Sequence, residues 1–153
     1  MLFIKKFAFF LFCCSALFSD FHMQHTIFFA VEPLNQIGHI IGPSPSFYFT
    51  GTGTYPTVKN VYSIATNGIN KKISGFLDND MPRGTHLWIN MSPPSRARSM
   101  GTQELSATPV DLVIELSQVA ESELVMIYTF TADPSAGVIP GATRVVFFTM
   151  TDG

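Results

Sequence analysis

The chain has 153 residues, enough for one domain of ordinary size, and a formal net charge of −2 at pH 7. Charged residues are sparse, and no basic run offers the electrostatic footprint of a nucleic-acid-binding protein. Both cysteines lie among the first 20 residues, so the rest of the chain can form no disulfide, thiolate nucleophile or cysteine-bound metal site.

The first 20 residues, MLFIKKFAFFLFCCSALFSD, are organised like a secretory signal peptide. Two lysines precede an apolar stretch from Phe7 to Phe18, which is too short to span a bilayer comfortably. Small residues permit cleavage after Ala16 or Ser19. We therefore predict a signal peptide over residues 1–19 and a secreted, periplasmic or cell-surface protein, with membrane contact only before cleavage. An uncleaved N-terminal anchor is the alternative.

Residues 20–46 are predicted to form either an N-terminal arm or the first strands, and residues 47–153 to form a β-sandwich domain. The 20–46 segment contains two short apolar runs and ends in Gly-Pro-Ser-Pro. His22 and His25 lie near its start, but nothing beside them completes a metal site, so we interpret them as solvated.

Two β-rich runs follow, Val58–Thr66 and Lys71–Asp78. The Asn67-Gly68 pair between them predicts a hairpin. The next run, Thr85–Met91, alternates cleanly. It places Leu87, Ile89 and Met91 on one face and His86, Trp88 and Asn90 on the other.

The segment from Thr108 to Ala120, TPVDLVIELSQVA, permits two interpretations. A short helix is slightly favoured, because Thr108 suits the N-cap, Pro109 suits the first turn, and apolar residues recur at helical spacing. A strand from Val110 to Leu116 is the alternative, because this run is rich in β-branched residues.

The last two runs, Glu123–Thr131 and Thr143–Asp152, give the strongest strand signal. They are either antiparallel partners or strands that cross between two sheets. The final run is apolar or threonine on both faces and carries little charge. A central position in a sheet is the ordinary explanation. The other is an edge through which subunits associate, with Val145, Phe147 and Thr149 as the assembly residues.

From Lys71 onward, the pattern KKISGFLDNDMPRGTHLWINM…VAESELVMIYTFTADPSAGVIPGATRVVFFTMTD resembles small secreted bacterial β-proteins of the pilin-like or Ig-like kind. The resemblance implies a structural or surface-associated β-sandwich and carries no catalytic motif. Together with the many short strands, it predicts an all-β antiparallel sandwich of about seven to nine strands, with the 108–120 helix as the one helical element. The disulfide pair of chaperone–usher pilins is missing.

No catalytic residue, metal site or cofactor is predicted. A nucleophile elbow and a phosphate-binding loop are both missing. The Asp78-Asn79-Asp80 run lacks the glycine and glutamate of a calcium loop and is interpreted as a turn capped by its own side chains. An enzyme would need two or more acids, or a histidine–acid pair, converging in a pocket, and His86 with Asp78 or Asp80 is the pair near enough in sequence to consider.

The leading hypothesis is a non-enzymatic structural or interaction module whose partner is a second copy or another surface protein. Its candidate contact residues are Trp88, Arg96 and Arg98, since an exposed tryptophan beside arginines is typical of interfaces. The alternative is a monomeric module that binds a glycan or a small apolar ligand, with Trp88, Tyr55 and Tyr62 lining the site.

Overall fold

A computed structural model of the chain describes residues 33–38, 40–47, 57–133, 136–138 and 141–153. The described residues contain nine strands and no helix, which confirms the predicted all-β sandwich. None of these residues belongs to a helix long and apolar enough to cross a bilayer. The strands are β1 (Asn35–Ile37), β2 (Thr57–Thr66), β3 (Lys71–Leu77), β4 (Thr85–Met91), β5 (Arg98–Ser99), β6 (Thr102–Leu105), β7 (Val110–Leu116), β8 (Val119–Ala132) and β9 (Val146–Asp152).

The strands form two antiparallel sheets. The five-stranded sheet has the order β1-β2-β8-β4-β6, and the four-stranded sheet has the order β5-β7-β3-β9. Sequential strands are therefore often in different sheets. β8 and β9, the two strands with the strongest sequence signal, cross from one sheet to the other and are not partners.

The core lies between the sheets and is built by two-residue alternation. On β4 the side chains of Leu87, Ile89 and Met91 are buried, while those of His86, Trp88 and Asn90 are not, as the alternation predicts. Buried apolar side chains contribute about 1.5–3 kcal/mol each, which is how a domain without disulfides is held together. The largest fully buried side chains are Tyr62, Ile73, Leu77, Ile89, Met91, Leu105, Leu112, Val113, Leu116 and Met126.

The prediction of a helix over residues 108–120 is wrong. Residues 110–116 form β7, and β8 begins at Val119. The pairing of β7 with β3 contains irregularities, so its buried side chains, Leu112, Val113 and Leu116, do not alternate strictly. A strand interrupted by bulges buries positions at spacings of one, three and four residues, which is the spacing that suggested a helix.

The predicted hairpin between Val58–Thr66 and Lys71–Asp78 is also wrong. β2 and β3 lie in different sheets, and the Asn67–Asn70 link passes between them. β2 pairs with β8 along nearly its whole length, while β3 lies between β7 and β9. Each strand thus has a long partner elsewhere, which a local hairpin would displace.

The described part of the 20–46 segment joins the five-stranded sheet. β1 pairs with the end of β2, and the Gly38 N–H donates to the carbonyl of Ser63 at 2.8 Å. Phe47 then packs against the core, where its ring stacks on that of Phe130 with centroids 5.6 Å apart. The predicted signal peptide and the two tail histidines lie outside the described residues.

Candidate functional site

Within the two described sheets, β9 lies at an edge, which contradicts the prediction of a central position. Among the strands that the structure describes, β9 pairs only with β3, from Lys71 opposite Asp152 to Leu77 opposite Val146. β1 lies beside it but pairs with β2 instead. The other edge strands, β1, β5 and β6, have two to four residues, whereas β9 has seven. Long edge strands are what soluble proteins usually avoid.

The two faces of β9 differ. The side chains of Val146, Phe148 and Met150 pack against the core. Those of Phe147 and Thr149 are exposed on the outer face, with Phe147 44% exposed. Val145, which is 50% exposed, directly precedes the strand. The ring of Phe147 stacks on that of Phe76 on β3, with centroids 5.2 Å apart. Phe76 was not predicted as part of this surface, because the register that pairs it with Phe147 cannot be read from the sequence.

In the part of the chain that the structure describes, the main chain of β9 has one side that pairs with no strand, and we call this its open side. The Asp78 N–H donates to the Val145 carbonyl at 3.0 Å, and the Gly153 N–H donates to the Asn70 carbonyl at 2.7 Å. Residues turned toward a neighbouring strand alternate in an antiparallel ladder. The N–H and C=O groups of Val145, Phe147, Thr149, Thr151 and Gly153 therefore face β3. The N–H and C=O groups of the four intervening residues face the open side, and we call these groups the β9 edge. The four residues are Val146, Phe148, Met150 and Asp152.

Charged side chains fix both ends of β9. Asp152 forms an ion pair with Lys71 at the end of the strand. At its start, the Asp78 carboxylate accepts from the Val145 N–H at 2.9 Å, and this hydrogen bond lowers the pKa of Asp78. The Arg144 guanidinium donates to the Asp80 carbonyl at 2.8 Å. Asp78 and Asp80 thus bind neighbouring segments, and their role is wider than the self-capped turn that was predicted.

A second cluster lies on the outer face of the five-stranded sheet. Nδ1 of His86 donates to Glu104 at 2.5 Å, and its Nε2 lies 3.8 Å from a carboxylate oxygen of Asp133. The hydrogen bond to Glu104 raises the pKa of His86. The indole N–H of Trp88 donates to the Thr131 hydroxyl at 3.0 Å. We call these five residues the His86 cluster.

The His86 cluster differs from the pairing considered for an enzyme. His86 pairs with Glu104 on β6 and Asp133 after β8, and its hydrogen bonds do not involve Asp78 or Asp80. Its partners are 18 and 47 positions away in sequence, so only the strand order brings them together. The part of the chain that the structure describes contains no group of three or more side chains able to hold a metal ion.

The predicted contact set of Trp88, Arg96 and Arg98 is divided between the sheets. Trp88 lies on the five-stranded sheet and points away from the core. Arg98 lies on β5 of the four-stranded sheet, where its guanidinium contacts Glu115 at 3.3 Å. Arg96 lies in the exposed turn that precedes β5. Trp88 therefore lies beside His86 and pairs with Glu104 across β4 and β6, whereas the sequence suggested arginines as its neighbours.

The aromatic row predicted for ligand binding does not form as expected. Tyr62 is only 1% exposed, and its hydroxyl donates to the Ser92 carbonyl at 2.6 Å. Burial raises the pKa of its phenol, as expected for a core residue. Tyr55 lies outside the described residues. Of the two that the structure describes, Trp88 lies on an accessible sheet face and Tyr62 does not.

Comparison with protein-family models, with curated proteins and with solved structures finds no match for this chain.

Proposed function

We propose that the chain is an exported, non-enzymatic β-sandwich that serves as a structural or interaction module at the cell surface or in the periplasm. It associates through the β9 edge. The observation that carries this proposal is a seven-residue strand that pairs on only one side among the described strands, with exposed apolar residues at and before its start. The same role is what the resemblance in strand pattern from Lys71 onward implies.

The physical basis is the cost of leaving β9 unpaired. An unpaired edge presents hydrogen-bonding groups in a row, which is a template for another strand. Pairing there satisfies main-chain groups and covers the apolar surface of Phe147 and Phe76. Arg144 and Asp152 place opposite charges near the two ends of this template, so the edge favours a defined contact over open-ended aggregation.

The test is the mass in solution, measured by light scattering over a wide concentration range on the protein purified after export. We expect the mass to increase with concentration. Phe147→Lys places a charge on the outer face of β9 and should suppress the increase. Ile127→Lys is the matched control, because Ile127 is a similarly exposed apolar residue, 39% exposed, on the other sheet. Circular dichroism establishes that both variants remain folded. A wild-type monomer at every concentration would refute self-association.

A second candidate function, glycan binding, is favoured by the His86 cluster. A tryptophan beside hydrogen-bonding side chains suits the binding of a sugar. The indole ring supplies apolar contact area for the sugar ring, and the carboxylates of Glu104 and Asp133 accept hydrogen bonds from its hydroxyls. Trp88 is the one tryptophan of the chain, so its fluorescence reports directly on this surface. Titration with soluble glucans, mannans and chito-oligosaccharides should change the emission of the wild type and not of Glu104→Gln. An unchanged spectrum with all three would refute this candidate.

A further inference from the structure

We propose that the occupant of the β9 edge is β9 of a second copy, paired antiparallel about a two-fold axis at Phe148. The pairing would join two four-stranded sheets into one of eight strands. This inference rests on the proposed self-association through β9, and it adds the partner and the register of the contact.

The main-chain geometry of β9 permits this arrangement. Val146, Phe148, Met150 and Asp152 carry the groups that face the open side. Around an axis at Phe148, Val146 lies opposite Met150 of the second copy, and Phe148 lies opposite itself. Each such pair joins two residues whose N–H and C=O groups both face the contact, as a hydrogen-bonded antiparallel pair requires.

Charge complementarity selects this register among the neighbouring ones. With the axis at Phe148, extending the register two residues before the start of β9 places Arg144 opposite Asp152 of the second copy, and the symmetry repeats the pair at the other end. The Arg144 guanidinium also donates to the Asp80 carbonyl. The Asp152 side chain is 86% exposed although one of its oxygens contacts Lys71. An axis at Phe147 places Met150 opposite Arg144, and an axis at Thr149 places Val146 opposite Asp152. Both alternatives lose the complementary pairs, and opposite charges across strands favour the register that keeps them.

The same register covers Phe147, the exposed member of the Phe147–Phe76 pair. On the outer face, Phe147 lies opposite Thr149 of the second copy, as a closely spaced, non-hydrogen-bonded pair. Phe147 already stacks on Phe76, so the dimer extends this contact across the junction. Pairing two seven-residue strands buries less than the roughly 1,200 Å² of a standard stable interface. The dimer should therefore be weak, with a dissociation constant in the micromolar range or above.

Disulfide trapping between single-cysteine variants tests the register. The variants Val145→Cys, Thr149→Cys and Thr151→Cys are made in the full chain with Cys13→Ser and Cys14→Ser, and all of them retain Phe147. In the proposed dimer, position 145 of one copy lies opposite position 151 of the other as a non-hydrogen-bonded pair. Their Cα atoms are about 4.5 Å apart, which is within the range of a disulfide. Copper-phenanthroline oxidation of their mixture should trap dimers, and oxidation of each variant alone should not.

The other combinations report the competing registers. Trapping of Thr149→Cys alone would place the axis at Thr149, and trapping in a mixture of Val145→Cys with Thr149→Cys would place it at Phe147. Either result would overturn the proposal. Light scattering on the same samples distinguishes the failure of β9 pairing from the failure of self-association. Association without any of these disulfides would refute β9 pairing and leave self-association standing, whereas a monomer throughout would refute both. Ile127→Cys is the matched control and should trap in no mixture.

Discussion

Gly75 lies in the middle of β3 at a point where the two sheets leave no room for a side chain. A Cβ atom built on Gly75 would lie 2.7 Å from Cδ1 of Leu112 and 3.3 Å from Cδ2 of Leu105. Both leucines are fully buried, and carbon atoms in contact normally lie about 3.5–4.0 Å apart. The substitution Gly75→Ala therefore tests how tightly the core is packed.

The expected cost follows from two opposing effects. Overpacking a core by one methyl group costs about 1–3 kcal/mol. Replacing glycine within a strand recovers about 0.5–1 kcal/mol of backbone entropy. Because the 2.7 Å contact is far shorter than a normal carbon–carbon contact, the overpacking cost lies in the upper half of its range, at about 2–3 kcal/mol. The variant should therefore lose about 1–2.5 kcal/mol of unfolding free energy. With a urea slope of about 2 kcal/mol/M, the midpoint falls by about 0.5–1.2 M.

A double-mutant cycle with Leu112→Ala assigns the cost to the predicted contact. Leu112→Ala alone should cost about 2–5 kcal/mol, and it removes the atom that the new methyl group meets. In that background Gly75→Ala should be neutral or slightly stabilising. Gly141→Ala is the matched control, because a Cβ atom there meets nothing within 4 Å. The same loss in both backgrounds, or a loss below about 0.5 kcal/mol in the wild type, would refute the reasoning.

Three further predictions concern protonation, a buried hydrogen bond and processing. The pKa of His86 is raised in the folded state, so the His86–Glu104 contact stabilises the fold below the unfolded pKa of about 6.5 and is lost as the pH rises through the folded value. Urea unfolding between pH 5 and 9 should show this decline, and Glu104→Gln should flatten it. Tyr62→Phe removes the 2.6 Å hydrogen bond to Ser92 and should cost about 1 kcal/mol in the same assay; an unchanged midpoint would contradict the bond. Mass spectrometry of the exported protein should show loss of residues 1–16 or 1–19, and recovery of only the intact chain in the cytosol would refute the signal peptide.

Local pattern was sufficient for the strands whose environment is regular. The alternation of β4 separated its buried leucine, isoleucine and methionine from Trp88 correctly, because one face of a regular strand packs on the core. The same logic placed Phe147 and Thr149 together on the outer face of the last strand. It did not work for β7, where irregular pairing changes which residues are buried and gives a strand the apolar spacing of a helix.

The composition and periodicity of the sequence determined an all-β sandwich without disulfides, because both are properties of local segments. Strand order, register and the sheet to which each strand belongs were decided only by the tertiary structure. These depend on long-range competition among strands of similar apolar character, so the sequence suggested a β2–β3 hairpin and a central last strand. The two candidate sites depend on the same competition. Glu104 and Asp133 reach His86 only because β4 lies between β6 and β8. β9 has one side without a paired strand because, among the described strands, it pairs with β3 alone.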